Sequence, residues 1–144
     1  MRYREVRADA TYVIRLSNGD DWRAQIERLA EVEGVEAGWF VGLGAVRRAE
    51  LWYYDQSAGR YRPFEVGEPM EVAACVGNIS LLDGDPFAHT HAVLSDPDGR
   101  TVAGHLDAAE VFAGEVIVWS FERPLERVPD AETDLDLWDL PHGG

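Results

Sequence analysis

The sequence predicts an α+β domain, a mostly antiparallel sheet with one main helix, and three observations carry that expectation. Only one stretch, from Asp20 to Gly34, keeps apolar residues at helical spacing. Elsewhere β-branched and aromatic runs are separated by turns rich in Gly, Asp and Pro, the pattern of hairpin-linked strands. The run from Met70 to Leu82, MEVAACVGNISLL, is too apolar for a strand with one wet face and belongs at the centre of a sheet.

Thr11 to Leu16 reads as the first strand, and Ser17-Asn18-Gly19 turns it. Asp20 or Asp21 can then cap a helix whose stripe is Trp22, Ile26, Leu29 and Ala30 and whose end is Gly34. Gly38 to Ala45, GWFVGLGA, holds no GxGxxG phosphate loop, so its glycines are expected to serve close strand packing. Ala49 to Asp55 and Tyr61 to Val66 form a hairpin around Gln56 to Arg60; Trp52, Tyr53, Tyr54 and Tyr61 are expected in a core or subunit interface rather than as a base-stacking platform. In the central strand Gly77-Asn78 is expected to mark a bulge or bend. Asp83 to Pro86 turns into a histidine strand, and Leu106 to Gly114 leads into a last strand, Glu115 to Phe121.

With 144 residues the chain is expected to be a single domain over 1–128, followed by an acidic tail over 129–144. The tail alternates Leu135, Leu137 and Trp138-Asp139-Leu140 among carboxylates; it suits a sheet edge, a neighbouring chain or solvent, and His142 is expected to be disordered. Cys75, the only cysteine, reads as a small core residue, and a reducing, cytoplasmic setting fits. Neither a signal-peptide core nor a membrane-length apolar run is visible, so a soluble protein is expected.

The net charge is -14, and all 13 basic residues are arginines. Without lysine the chain cannot run Schiff-base or pyridoxal-phosphate chemistry, a P-loop or a Ser-Lys dyad. The acidic, lysine-free composition fits a halophilic source, where salt shortens the Debye length, and equally a genome that favours arginine codons.

The stretch richest in chemistry is PFAHTHAVLSDPDGRTVAGHL, Pro86 to Leu106. On a strand, His89 and His91 project from one face. Pro97 and Gly99 suit a three-residue hairpin loop. If Asp96 then faces Arg100, His91 lies opposite His105 and three imidazoles converge; a two-residue loop would send His105 to the other face. Three such imidazoles suit Zn²⁺ or another divalent metal, with Asp107, Glu110 or Glu115 as the nearest acidic candidates; ordinary hydrogen bonding within the sheet is the plain alternative.

Gly42-Leu43-Gly44-Ala45, Ala49-Glu50-Leu51-Trp52-Tyr53-Tyr54-Asp55, Gly77-Asn78-Ile79-Ser80, His89-Thr90-His91 and Asp98-Gly99 through Gly104-His105-Leu106 come in an order that resembles the plants-and-prokaryotes-conserved (PPC) domain family across nearly the whole chain. The resemblance implies an α+β fold of the PPC type, a homotrimer, and a metal held by His89, His91 and His105. Ala103 stands where the family's Gly-Gly-His-Leu has its first glycine. It also implies a DNA-binding label, although the Arg-Gly-Arg-Pro core of the AT-hook found in plant members is absent here.

The functional expectation is therefore a trimeric, non-enzymatic binding or regulatory module with a histidine metal site, working through a protein partner. The alternative is a small zinc-dependent enzyme with Glu115 or Glu110 as base. Duplex DNA is not expected to bind the isolated chain unless Arg2, Arg4, Arg7, Arg47, Arg48, Arg60 and Arg62 gather on one face. Trp119, Phe121 and the Trp52 strand are expected near the subunit interface.

Overall fold

Strand-forming sequence dominates the computed structural model, which describes residues 1–142. Its elements are β1 (Ala8–Leu16), α1 (Trp22–Glu33), β2 (Gly38–Asp55), β3 (Arg60–Val66), β4 (Met70–Leu82), β5 (Asp85–Ser95), β6 (Thr101–Phe121), β7 (Arg127–Asp130) and β8 (Leu135–Trp138). The α+β architecture, antiparallel sheet with one helix, is the one expected.

β2 and β6 are longer than their sequence runs suggest. The two runs either side of Arg47-Arg48 are one strand of 18 residues, and Leu106 to Phe121 belongs to one strand of 21. Register shifts near Val46 and between Glu50 and Leu51 bend this pair, so each strand serves different neighbours along its length. β6 pairs with β1, β5 and β2, while β2 pairs with β3, β4 and β6, which closes a circuit β6-β5-β4-β2 with β1 and β3 as appended edges.

The helix plugs the inner side of this sheet. Asp21 caps it by accepting the Ala24 N–H at 2.9 Å, and Gly34 ends it in the left-handed conformation at φ 67°. Trp22, Ile26 and Ala30 are fully buried. The Trp22 ring lies over two strand glycines, where a Cβ on Gly42 or Gly114 would come within 2.9 or 2.8 Å of it. Close packing is thus what these glycines provide.

The expected irregularity at Gly77-Asn78 lies elsewhere. Pairing runs unbroken through Gly77–Thr90 and Asn78–His89, and the register of β4 shifts at Ala73 instead. Gly77 answers to the inner face, where the Phe40 ring occupies the space of a side chain.

The acidic C-terminal stretch folds back on the domain. β7 and β8 pair antiparallel as a separate two-stranded sheet, the Tyr54 hydroxyl donates to the Thr133 carbonyl at 2.9 Å, and Asp139 N–H donates to Glu126 O at 2.8 Å. His142, rather than trailing free, forms an isolated bridge with Arg2.

Candidate metal centre

The β5–β6 hairpin decides the site. Asp96 N–H donates to the Arg100 carbonyl at 2.9 Å, Gly99 N–H to the Asp96 carbonyl at 3.0 Å, and Asp96 Oδ1 accepts the amides of Asp98 and Arg100. Gly99 takes φ 80°, a conformation open to glycine at little cost. The loop therefore holds three residues, and the register places His91 opposite His105.

His89 joins them from two residues upstream on the same face. Ring centroids lie 5.1 Å apart for His89–His91, 5.0 Å for His89–His105 and 4.2 Å for His91–His105. One nitrogen from each ring lies within 4.8 Å of the others. Bonds of about 2.0–2.1 Å in a tetrahedron put ligand nitrogens roughly 3.4 Å apart, against separations of up to 4.8 Å here. The donor set suits Zn²⁺ or a similar divalent ion.

Protonation favours the same use. Burial pushes the His89 imidazolium down to about 4, with further lowering from Arg127, His105 and His91. Burial also lowers His91, and burial followed by the His91 charge lowers His105. Neutral rings keep the lone pairs that a metal requires.

Arg127 organises the flank that the sequence did not point to. Its Nε donates to Ser80 Oγ at 2.8 Å, Nη1 to the Asp136 carbonyl at 2.7 Å, and Nη2 to Asn78 Oδ1 at 2.9 Å and His89 Nδ1 at 3.3 Å. A guanidinium can only donate. His89 Nδ1 is therefore an acceptor, its Nε2 carries the proton, and that proton is shared with His105 Nδ1 at 3.0 Å. For His89 Nε2 to take an ion, this proton would have to move to Nδ1, which would then give up its contact with Arg127.

The three acidic candidates separate. Asp107 lines a cavity of about 300 Å³ together with His89, His105 and Arg127, and it meets Arg23 at 3.5 Å. Glu110 is held by Arg48 at 2.9 Å and Arg47 at 3.8 Å in a different cavity, with Asp21, Glu50 and Glu65. Glu115 pairs with Arg15 and Leu43 far along β6. An extended strand climbs about 3.3 Å per residue, so β6, although bent at its register shifts, carries Glu110 and Glu115 along its length away from His105, into contact with Arg48 and opposite Arg15. Among the described residues the ligand cluster contains histidines alone.

Aromatic residues form the remaining wall: Tyr61 meets His105 edge-on at 5.1 Å and Trp52 at 5.9 Å. The one signal that could have exposed the Arg127 network is Asn78, a polar residue inside an apolar strand, which when buried requires a partner.

The model of the Plants and Prokaryotes Conserved (PCC) domain matches residues 3–122. The chain belongs to that family. β7, β8 and Arg127 thus lie beyond the part the PCC model covers. The metal-containing protein of Archaeoglobus fulgidus is 40% identical, with a TM-score of 0.92 over 96% of this chain and 99% of that one. A plant- and prokaryote-conserved protein of Pyrococcus horikoshii is 27% identical, also at TM-score 0.92, over 99% of both chains. The bifunctional protein GlmU of Synechococcus sp. (strain JA-3-3Ab) is 30% identical over 126 residues, which is 85% of this chain and 19% of that protein. The chain thus spans about a fifth of the curated relatives it matches.

Proposed function

We propose that this PCC-domain chain is a homotrimeric binding module in which His89, His91 and His105 hold one divalent ion, Zn²⁺ being the best fit to the donor set. The observation that carries the reading is the convergence of three neutral imidazoles on paired strands. A similar protein described as metal-containing, 40% identical, supports it. The ion would supply a Lewis-acidic centre beside the 300 Å³ cavity, and the protein's own contribution is to hold the imidazoles neutral and aligned.

The trimer reading gains support from an apolar row on the outer face of the sheet. Register pairs Val13 with Ile117, Ile117 with Val41, Val41 with Val76, and Val76 with His91. Val13 is 83% exposed and Leu43, two residues from Val41, is 59% exposed, so this face needs a cover. The row ends at the histidines, which would set the metal beside the subunit contact. Trp119 is half-buried next to Trp39 in the adjacent row, in keeping with a place at the edge of that contact.

A non-enzymatic role is the reading favoured here, because neither Glu110 nor Glu115, the bases that a zinc-dependent enzyme was expected to use, lies beside the histidines. DNA is disfavoured as a direct ligand: Arg47 and Arg48 both engage Glu110, and Arg62 engages Asp55. A role in transcription would therefore run through a protein partner, in a soluble, cytoplasmic setting. Light scattering at high salt on Zn²⁺-loaded protein tests the assembly. A mass of three chains supports the reading, and a monomer overturns it.

A further inference from the structure

The cavity beside the histidines has a chemical character of its own. Two guanidiniums flank one ring in it: Arg127 Cζ lies 5.3 Å and Arg23 Cζ 5.8 Å from the Phe87 centroid. They differ in how they are held. Arg127 is fixed by neutral acceptors and engages no carboxylate within ion-pair distance among the described residues. Arg23 is loosely paired, at 3.5 Å from Asp107 and 3.8 Å from Glu27, and its Nε is buried without a hydrogen-bond partner. An incoming carboxylate would therefore share or displace these long contacts at the exposed end of the guanidinium, with the better geometry of a bidentate pair.

The remaining walls limit what that anion can be. Trp52, Leu106 and Leu135 offer apolar surface, and about 300 Å³, at the lower end of ligand-pocket volumes, suits a small molecule. Asp107, Asp134 and Asp136 also line the cavity and oppose a doubly charged phosphate. A small monoanion is less affected by the chain's charge of -14 than a polyanion is, since screening at physiological salt acts within about 8 Å.

We propose that this cavity binds a small α-oxo or α-hydroxy monocarboxylate, with the carboxylate on Arg23, the apolar body against Phe87 and Trp52, and the α-oxygen toward the histidine end. The proposal rests on the metal reading, because the α-oxygen finds its partner in the ion held there. It makes the chain a metal-dependent small-molecule binder.

The test is calorimetric, on the full chain. Zn²⁺ is titrated first, then α-ketoisovalerate and isovalerate, which differ only at the α-oxygen, are titrated into the loaded protein. Expected are at least about tenfold tighter binding of the oxo acid and a loss of about tenfold in Arg23→Gln and Arg23→Met, with Zn²⁺ affinity and thermal stability unchanged. If Zn²⁺ binds and the two acids bind equally or not at all, or the Arg23 variants bind the oxo acid as wild type does, the anion site is wrong while the metal site stands. If Zn²⁺ itself does not bind, the metal reading falls and this proposal falls with it.

Discussion

Replacing Arg127 with Met removes the fork that ties the C-terminal hairpin to the histidine face. Four hydrogen bonds go at once, to Ser80, Asn78, Asp136 and His89, together with the stacking on Phe87. Ser80 is 0% and Asn78 8% exposed, so each loses a partner in a place water reaches poorly. An unsatisfied buried polar group costs about 1–3 kcal/mol. Loosening of the hairpin admits some water, so the expected loss is about 2–4 kcal/mol. For a chain of this size that lowers Tm by roughly 5–15 °C. Arg127→Lys retains the charge but offers a point donor in place of a planar fork, and more than half of the loss should remain. Urea unfolding of metal-free protein at matched concentration measures both variants. A loss under about 1 kcal/mol in Arg127→Met, or a wild-type Arg127→Lys, would refute the reasoning. In the Met variant the His89 pKa should also rise from about 4, because the Arg127 charge is its second cause after burial.

Gly77→Ala should destabilise the chain by about 1–3 kcal/mol or more, because the new methyl meets the Phe40 ring and the His89 carbonyl; thermal unfolding against wild type checks it. The pH dependence of the metal-free protein follows from His89, whose folded pKa near 4 lies below the unfolded value of about 6.5. Between these values the unfolded chain holds the extra proton, so this contribution is complete above about pH 6.5, declines as pH falls, and levels off near 4. His89→Gln should flatten that part of the urea-midpoint profile, and an unchanged slope would assign it to other groups. Labelled duplex DNA titrated across a range of salt should show no micromolar binding. Tight binding with a steep salt slope would restore direct DNA contact.

Much of the site was legible because strands encode it locally. Ser95 to Arg100 contains its own loop specification, the register follows from it, and period two then places His89 and His91 with His105. The helix ends were likewise written, as Asp20 or Asp21 and Gly34, and the structure uses Asp21. What escaped depends on contacts distant in sequence. Nothing within Arg127's neighbourhood announces Ser80, Asn78 and His89 as partners, since they lie on strands 38 to 49 residues upstream. Gly77 read as a bulge because a strand glycine marks either a backbone irregularity or a close approach, and only the position of Phe40 decides between them. The glutamates on β6 seemed near His105 in sequence, yet a single 21-residue strand carries them away in space.

The proposed centre holds one divalent ion per chain on His89, His91 and His105. Elemental analysis of protein purified without a metal-affinity tag, for wild type and His105→Ala, tests it most directly. The wild type should carry about one equivalent of zinc or a similar ion per chain and the variant none, while the variant's circular dichroism should remain that of the folded sheet. Wild-type protein that holds no metal after Zn²⁺ loading and dialysis, or a folded His105→Ala that holds as much as wild type, would contradict it.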